Sequence, residues 1–164
     1  MTKLIKFGFG AAAFVLLSST VSAQQSATAT VTATANVAAK ARLDVTGAVA
    51  FADDDPDTMP VLSAAALNIS VKARTGNAQT VLLTVAADGD FEEPGGATIG
   101  ISNLTWIVSG TGFATGTAAT TDVTVGSWPG SGNRNGTQTY RLLNSWAYDT
   151  GFYSVTLTYT LTAP

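Results

Sequence analysis

The sequence predicts an all-β fold, a single antiparallel β-sandwich of about 7–9 strands. Apolar and polar residues alternate with a period of two in several segments, and turn-forming residues separate these segments. No amphipathic helical pattern follows residue 24. Alternation with a period of two is typical of strands that have one buried and one solvent-exposed face. Because the chain has no Cys, its stability must come from the packed core, a metal or assembly.

Residues 1–23 have the pattern of a cleaved export signal. Lys3 and Lys6 precede an apolar run, and small residues at positions 21–23 form a cleavage site. The apolar run is shorter than the about 20 residues that a membrane-spanning helix needs. We therefore expect a chain that is secreted or held in the periplasm or at the cell surface, and that meets a membrane only during export. A retained N-terminal anchor helix is the alternative.

Residues 27–45 alternate throughout, and Ala38 is the only break on the polar face. Nineteen residues in one strand would span about 60 Å, roughly twice the ordinary length. We therefore divide the chain into an extended N-terminal strand, residues 24–38, and a sandwich domain, residues 39–164. The extended strand either pairs within its own chain or is donated to another subunit. Its apolar side chains, the candidate assembly residues, are Ala29, Val31, Ala33, Ala35 and Val37.

The later segments supply the strands of the sandwich. A change of phase at Ser102 and Asn103 predicts a β-bulge or tight turn, and the Gly-rich residues 127–136 predict a long loop. The predicted strands cover residues 67–74, 81–85, 99–101, 104–108 and 123–125, a segment carrying Tyr140 and Leu142, and residues 153–162. Short strands joined by turns in this number favour an immunoglobulin-like sandwich.

The charge balance limits the partners of the chain. Residues 24–164 contain eleven acidic and six basic residues, a formal charge of about −5. The sequence has no run of basic residues, so we expect an acidic surface without a basic cluster. Such a surface argues against nucleic acid and against anionic membranes as partners.

The residue types argue against an enzyme. The absence of His and Cys excludes Ser-His and Cys-His arrangements and His-ligated zinc. Glu92 and Glu93 are neighbouring carboxylates of the type that glycoside hydrolysis uses, but the adjacent Pro94 and Gly95 favour a solvated loop. We expect a non-enzymatic protein.

An acidic segment at residues 53–57 is a candidate calcium site, and calcium is the only cofactor that the sequence suggests. Ca²⁺ takes six to eight oxygen ligands and accepts irregular geometry. A solvated acidic turn shaped by Pro56 is the alternative, because the spacing of an EF-hand is missing. The candidate ligands are Asp53, Asp54, Asp55 and Asp57.

Aromatic residues in predicted loops are candidate ligand-binding groups. Trp128 lies beside Pro129, and Trp146 lies two residues before Tyr148. Aromatic rings in loops stack on sugar rings, which predicts a surface that binds glycan or cell wall. The alternative is that these rings cap the open end of the sandwich. Trp106, in an alternating segment, is expected in the core.

Two families are similar to parts of this sequence. Residues 151–164 resemble the closing strand of the WxL cell-surface domain, with residues 159–161 where that family has Trp-x-Leu and residues 106–108 in place of a first copy. This resemblance implies binding to peptidoglycan. The export signal and the Thr-rich alternating terminal strands are also similar to spore-coat-U-like and pilin-type subunits, which form fibres by lending a strand to a neighbour. The cysteines that many of those subunits carry are missing here.

Together these features predict a structural or adhesive surface protein that self-associates through edge strands or through donation of residues 27–37. The alternative is a monomeric extracellular module that binds carbohydrate or cell wall and is stabilised by calcium.

Overall fold

The computed structural model describes residues 25–164, which contain an antiparallel β-sandwich. The predicted fold class is therefore confirmed. The strand number exceeds the predicted 7–9 because several segments of only two or three residues also pair. The predicted export signal, residues 1–23, lies outside the described residues. The chain divides into two compact units between Ala35 and Asn36, and every strand found among residues 25–164 lies in the second.

Two main sheets form the sandwich. The strands are β1 (Lys40–Thr46), β2 (Val61–Ser63), β3 (Leu67–Arg74), β4 (Thr80–Ala87), β5 (Phe91–Glu92), β6 (Thr98–Ile99), β7 (Leu104–Ser109), β8 (Gly116–Thr117), β9 (Val123–Pro129), β10 (Gly132–Leu143) and β11 (Leu157–Thr162). Sheet A has the order β1-β3-β10-β7-β8, and β2 pairs with the end of β10. Sheet B has the order β11-β4-β9, and β5 and β6 form a separate pair.

The core lies between the two sheets, where alternate residues of each strand are buried. Ile69 and Val71 of β3 face this space, as do Leu83 and Val85 of β4. Trp106 is 1% exposed, which confirms its predicted core position. Its ring contacts the ring of Tyr140 edge-to-face, with centroids 5.8 Å apart.

The predicted long strand forms only in its second half. Strand β1 begins at Lys40, and residues 25–39 belong to no strand. At the other end of the chain, the strand predicted at residues 153–162 begins at Leu157, and Ser154 makes only an isolated bridge to Glu92. Alternation shows that a segment suits a strand, but a strand also needs a neighbour for its backbone groups.

The prediction of a long loop at residues 127–136 is wrong. Strand β9 continues to Pro129 and β10 begins at Gly132, which leaves a two-residue turn. Gly130 lies in this turn, whereas Gly132 and Gly136 lie within β10. A Cβ at Gly136 would overlap the ring of Phe113 and the backbone carbonyl of Ser109.

The predicted change of phase before β7 is confirmed as a tight turn. A 3₁₀ turn, Ile101–Asn103, separates β6 from β7. Within residues 25–164, no helix has the length and apolar character needed to cross a membrane.

Candidate functional site

The N-terminal segment exposes its apolar residues. Every side chain of residues 25–39 is exposed, including all five candidate assembly residues. Val31 is 93% exposed and Val37 is 63% exposed. Large apolar side chains at such exposure are available for contact with another surface.

One side of the sandwich, between β8 and β9, is closed by backbone hydrogen bonds. The amide of Ala114 donates to the carbonyl of Val125 at 2.8 Å, and the amide of Ser127 donates to the carbonyl of Gly112 at 2.9 Å. These bonds come from the connection between β7 and β8 and occupy outer backbone groups of Val125 and Ser127 in β9. This side therefore offers no continuous free edge.

The opposite side carries the other two end strands, β1 of sheet A and β11 of sheet B. Among the described residues, each pairs with a strand on one side only. Their inward apolar residues pack on the core but are only partly buried. These half-buried side chains are Leu43, Val45, Leu157, Tyr159 and Leu161.

The hydrogen-bond pattern of β11 shows which backbone groups face its free edge. The amide of Asp88 donates to the carbonyl of Thr156 at 3.0 Å, in register with the β4–β11 ladder. Hydrogen-bonded pairs alternate in an antiparallel ladder, so Thr158, Thr160 and Thr162 also bond to β4. The amides and carbonyls at the free edge therefore belong to the intervening residues, Leu157, Tyr159 and Leu161.

The two free edges differ in charge. The solvent face of β1 carries Lys40, Arg42 and Asp44, and Arg42 forms an ion pair with Asp44 at 2.9 Å. The solvent face of β11 carries only three Thr side chains. Charged side chains protect an edge strand against pairing with other chains. Strand β11 has no such protection.

A buried polar cluster joins β11 to sheet A. The hydroxyl of Tyr159 donates to Oε1 of Gln138 at 2.7 Å, and the hydroxyls of Tyr159 and Tyr140 are 2.8 Å apart. Burial, followed by the proximity of Tyr140, raises the pKa of Tyr159. Burial also raises the pKa of Tyr140. Both phenols therefore remain neutral at physiological pH and can act as hydrogen-bond donors.

A cleft of about 920 Å³ lies at one end of the sandwich. Buried apolar residues that line it include Leu62, Phe91, Ile99 and Leu104. The acidic segment at residues 53–55 and the aromatic segment around Trp146 and Tyr148 also line it. The structure thus brings together two groups of predicted site residues that are about 90 positions apart in the sequence.

Hydrogen bonds hold the acidic and aromatic segments beside each other. The indole N–H of Trp146 donates to Oδ1 of Asp57 at 3.2 Å. The amide nitrogen of the Asn144 side chain donates to the backbone carbonyls of Asp54, at 2.9 Å, and of Met59, at 3.0 Å. These contacts hold the aromatic segment beside the acidic segment.

The predicted calcium ligands do not converge. Residues 25–164 contain no group of three or more acidic side chains placed to hold a metal ion. Oδ1 of Asp54 accepts from the amide of Asp55, and Oδ1 of Asp55 accepts from the amide of Asp57, both at 2.8 Å. With the side chain of Asp53 also exposed, the segment has the geometry of a solvated acidic turn.

The remaining aromatic candidates have different environments. Trp146 is 71% exposed, so one face of its ring is open to a ligand. The hydroxyl of Tyr148 is buried and has no hydrogen-bond partner among the described residues. Burial raises the pKa of Tyr148.

Trp128 is in the core, and the prediction that it lies in a Gly-rich loop is wrong, because it belongs to β9. It is 3% exposed, and its indole N–H donates to the carbonyl of Thr111 at 2.7 Å. Its ring contacts Phe113 edge-to-face, with centroids 4.9 Å apart. Because β9 continues to Pro129, the side chain of Trp128 points between the sheets and presents no face to a sugar.

Sheet A carries a basic cluster that the sequence pattern does not predict. The register of β1 and β3 places Lys40 opposite Arg74 and Arg42 opposite Lys72, and all four side chains are exposed. The expectation of a surface without a basic cluster is therefore wrong. In the sequence the cluster is visible only as two separate pairs of bases, Lys40 with Arg42 and Lys72 with Arg74. The register of β1 and β3 is what shows that the two pairs are adjacent.

Comparison with known proteins does not assign a family. The chain matches no protein-family model, and no curated protein has a significantly similar sequence.

Proposed function

We propose that this chain is a non-enzymatic, exported structural subunit that self-assembles by donating residues 27–37 to a second copy. The observation that carries this proposal is the exposure of an eleven-residue segment in which apolar residues alternate with Thr and Asn. Such a segment has the pattern of a half-buried strand but has no strand pairing in the described chain. Pairing with another subunit would give its backbone groups hydrogen-bond partners and would bury its apolar side chains.

The free edge of β11 is the proposed acceptor. Within residues 25–164, the backbone groups at this edge have no strand partner. The inward side chains of β11 are half-buried, and its solvent face is uncharged. The donated strand would place Thr residues beside Thr158, Thr160 and Thr162, and cross-strand Thr pairs are favourable. Strand addition of this kind supplies affinity through main-chain hydrogen bonds and specificity through alternate side chains.

The small apolar residues of the donor suit a shallow groove between two sheets. Val31 and Val37 would each contribute roughly 1.5–3 kcal/mol on full burial. Ala29, Ala33 and Ala35 allow the sheets to approach each other closely. The donor polar face, from Thr28 to Asn36, has no charge that would require desolvation.

Deletion of residues 26–37 tests this function. We expect the mature wild-type chain to form polymers that are visible by electron microscopy, and the deletion variant to be a folded monomer by light scattering and circular dichroism. Unchanged assembly of the deletion variant would contradict strand donation.

A second candidate function is carbohydrate or cell-wall binding at the end cleft. Its support is the exposed ring of Trp146 beside Asp57 at the opening of the cleft. Binding of the protein to a glycan array, lost on Trp146→Ala and retained on Trp128→Phe, would favour this function. A wild-type chain that stays monomeric at high concentration would favour it over assembly.

A further inference from the structure

The basic cluster of β1 and β3 concentrates most of the positive charge of the folded domain. Lys40, Arg42, Lys72 and Arg74 are four of the six bases that follow residue 23. Asp44 is the only acidic residue in the two strands, and its ion pair with Arg42 leaves a net charge of about +3 on this face.

The arrangement is electrostatically unfavourable for the isolated chain. Like charges directly opposite each other on neighbouring strands are destabilising. Two such pairs occur in succession, Lys40 with Arg74 and Arg42 with Lys72. A polyanion bound across the cluster would remove this repulsion and gain Coulomb attraction.

We infer that the basic cluster binds a linear anionic polymer that carries phosphate, sulfate or carboxylate groups. Successive bases on one strand are about 7 Å apart and the two strands are about 5 Å apart, so the cluster presents a double row of cations. The Arg74 side chain can bind an anionic group through two parallel hydrogen bonds. The Nε and Nη2 atoms of Arg42 already donate to Asp44, so Arg42 adds mainly its positive charge. This inference does not depend on strand donation.

The surroundings favour a soluble polymer over a membrane surface. The residues beside the cluster on the same face include Asn133, which is opposite Lys72, and Ser70, which is opposite Asp44. Both are uncharged hydrogen-bonding groups suited to the hydroxyls of a glycan backbone. Neither has the apolar side chain that inserts into the boundary between lipid headgroups and acyl chains.

Binding of long-chain inorganic polyphosphate and of heparin to the mature chain tests the inference, with neutral dextran as control. Fluorescence anisotropy should detect binding of both polyanions and not of dextran. The affinity should fall about 10–100-fold between 50 and 200 mM salt, as expected for release of roughly three counterions.

Two charge-matched double variants locate the binding site. Arg42→Gln with Lys72→Gln should weaken polyphosphate binding at least tenfold. Arg134→Gln with Arg141→Gln changes the net charge equally but lies outside the cluster, and it should retain most of the affinity. Circular dichroism confirms that both variants are folded.

Four results would overturn the inference. They are absence of polyanion binding, equal weakening in the two double variants, binding only to vesicles of anionic phospholipid, and a cluster variant that loses self-association but keeps polyphosphate binding. The last result would instead assign the cluster to an acidic surface of a second copy.

Discussion

The hydroxyl of Tyr159 on β11 donates to Oε1 of Gln138 on β10, 2.7 Å away, and so links the two sheets across the core. Gln138 is completely buried, and the hydroxyl of Tyr140 supplies the remaining bond to Tyr159. In the part of the chain that the structure describes, strand β11 pairs only with β4, and this bond supplements that pairing. The edge that we propose as an acceptor is thereby fixed before any partner arrives.

Tyr159→Phe should lower the free energy of unfolding by about 1–3 kcal/mol, because Oε1 of Gln138 would lose its donor in a buried site. Urea unfolding measures this change. Tyr153→Phe is the control, since it removes a solvent-exposed hydroxyl bond to the carbonyl of Asp149 and should cost less. An equal decrease in the free energy of unfolding of both variants would show that the bond between the sheets stabilises the fold no more than a solvent-exposed bond does.

Alkaline pH should destabilise the fold through the buried tyrosines. Burial raises the pKa of Tyr159 and Tyr140 in the folded state. The contribution of these two tyrosines to the free energy of unfolding is therefore fully present below the ordinary tyrosine pKa of about 10. Above that pH the contribution falls, because the unfolded chain loses protons that the folded chain retains. The fall should reach about 1.4 kcal/mol per pH unit for each tyrosine. Unfolding in urea from pH 8 to 11 measures this slope, which Tyr159→Phe should reduce.

Gly126→Ala should destabilise the domain by about 1–3 kcal/mol, because a Cβ at this position would overlap the ring of Trp128. Gly89→Ala is the matched control, since no atom lies within 4 Å of its added Cβ. Thermal unfolding compares the two. A Gly126→Ala variant that unfolds at the same temperature as the wild type would contradict the close packing of Trp128 between the sheets.

The two faces of the donor segment should respond differently to charge. Val31→Asp places a carboxylate on the apolar face and should abolish polymer formation, because that face becomes buried in the acceptor. Thr32→Asp places the same charge on the polar face and should leave most assembly intact. Sedimentation of polymer measures both. Equal loss of polymer in the two variants would show that the apolar face of the segment is not the face that is buried in the acceptor.

A charge on the acceptor edge should also block assembly. Thr160→Lys introduces a cation on the solvent face of β11 and should reduce polymer formation at least tenfold by protecting this edge. Thr46→Lys introduces the same charge at the end of β1 and should have little effect. Greater inhibition by Thr46→Lys would assign the acceptor to β1.

The sequence predicts the parts of this fold that depend on neighbours close in the chain. Strands β3 and β4 match their alternation and the turn between them. The abundance of Gly and Asn at residues 127–136 predicts a loop, because both residue types are common in turns. Gly136 pairs with Ile69 in the β3–β10 ladder, and the ring of Phe113 occupies the space that a side chain would need at this position.

The candidate sites were harder to predict because they depend on contacts between distant segments. Trp146 was predicted as a ligand-binding residue, but its hydrogen bond to Asp57 joins residues 89 positions apart. The basic cluster depends on the register that places Arg42 opposite Lys72. Neither relationship is encoded in the spacing of residues along one strand.

Amide hydrogen exchange of the variant lacking residues 26–37, measured by NMR with and without a synthetic peptide of those residues, tests strand donation most directly. We predict that the peptide raises the protection of Leu157, Tyr159 and Leu161, whose amides face the free edge, while Thr158 and Thr160 are protected in both states. The melting temperature should rise with peptide concentration. Unchanged protection along β11 at saturating peptide would contradict the proposed function.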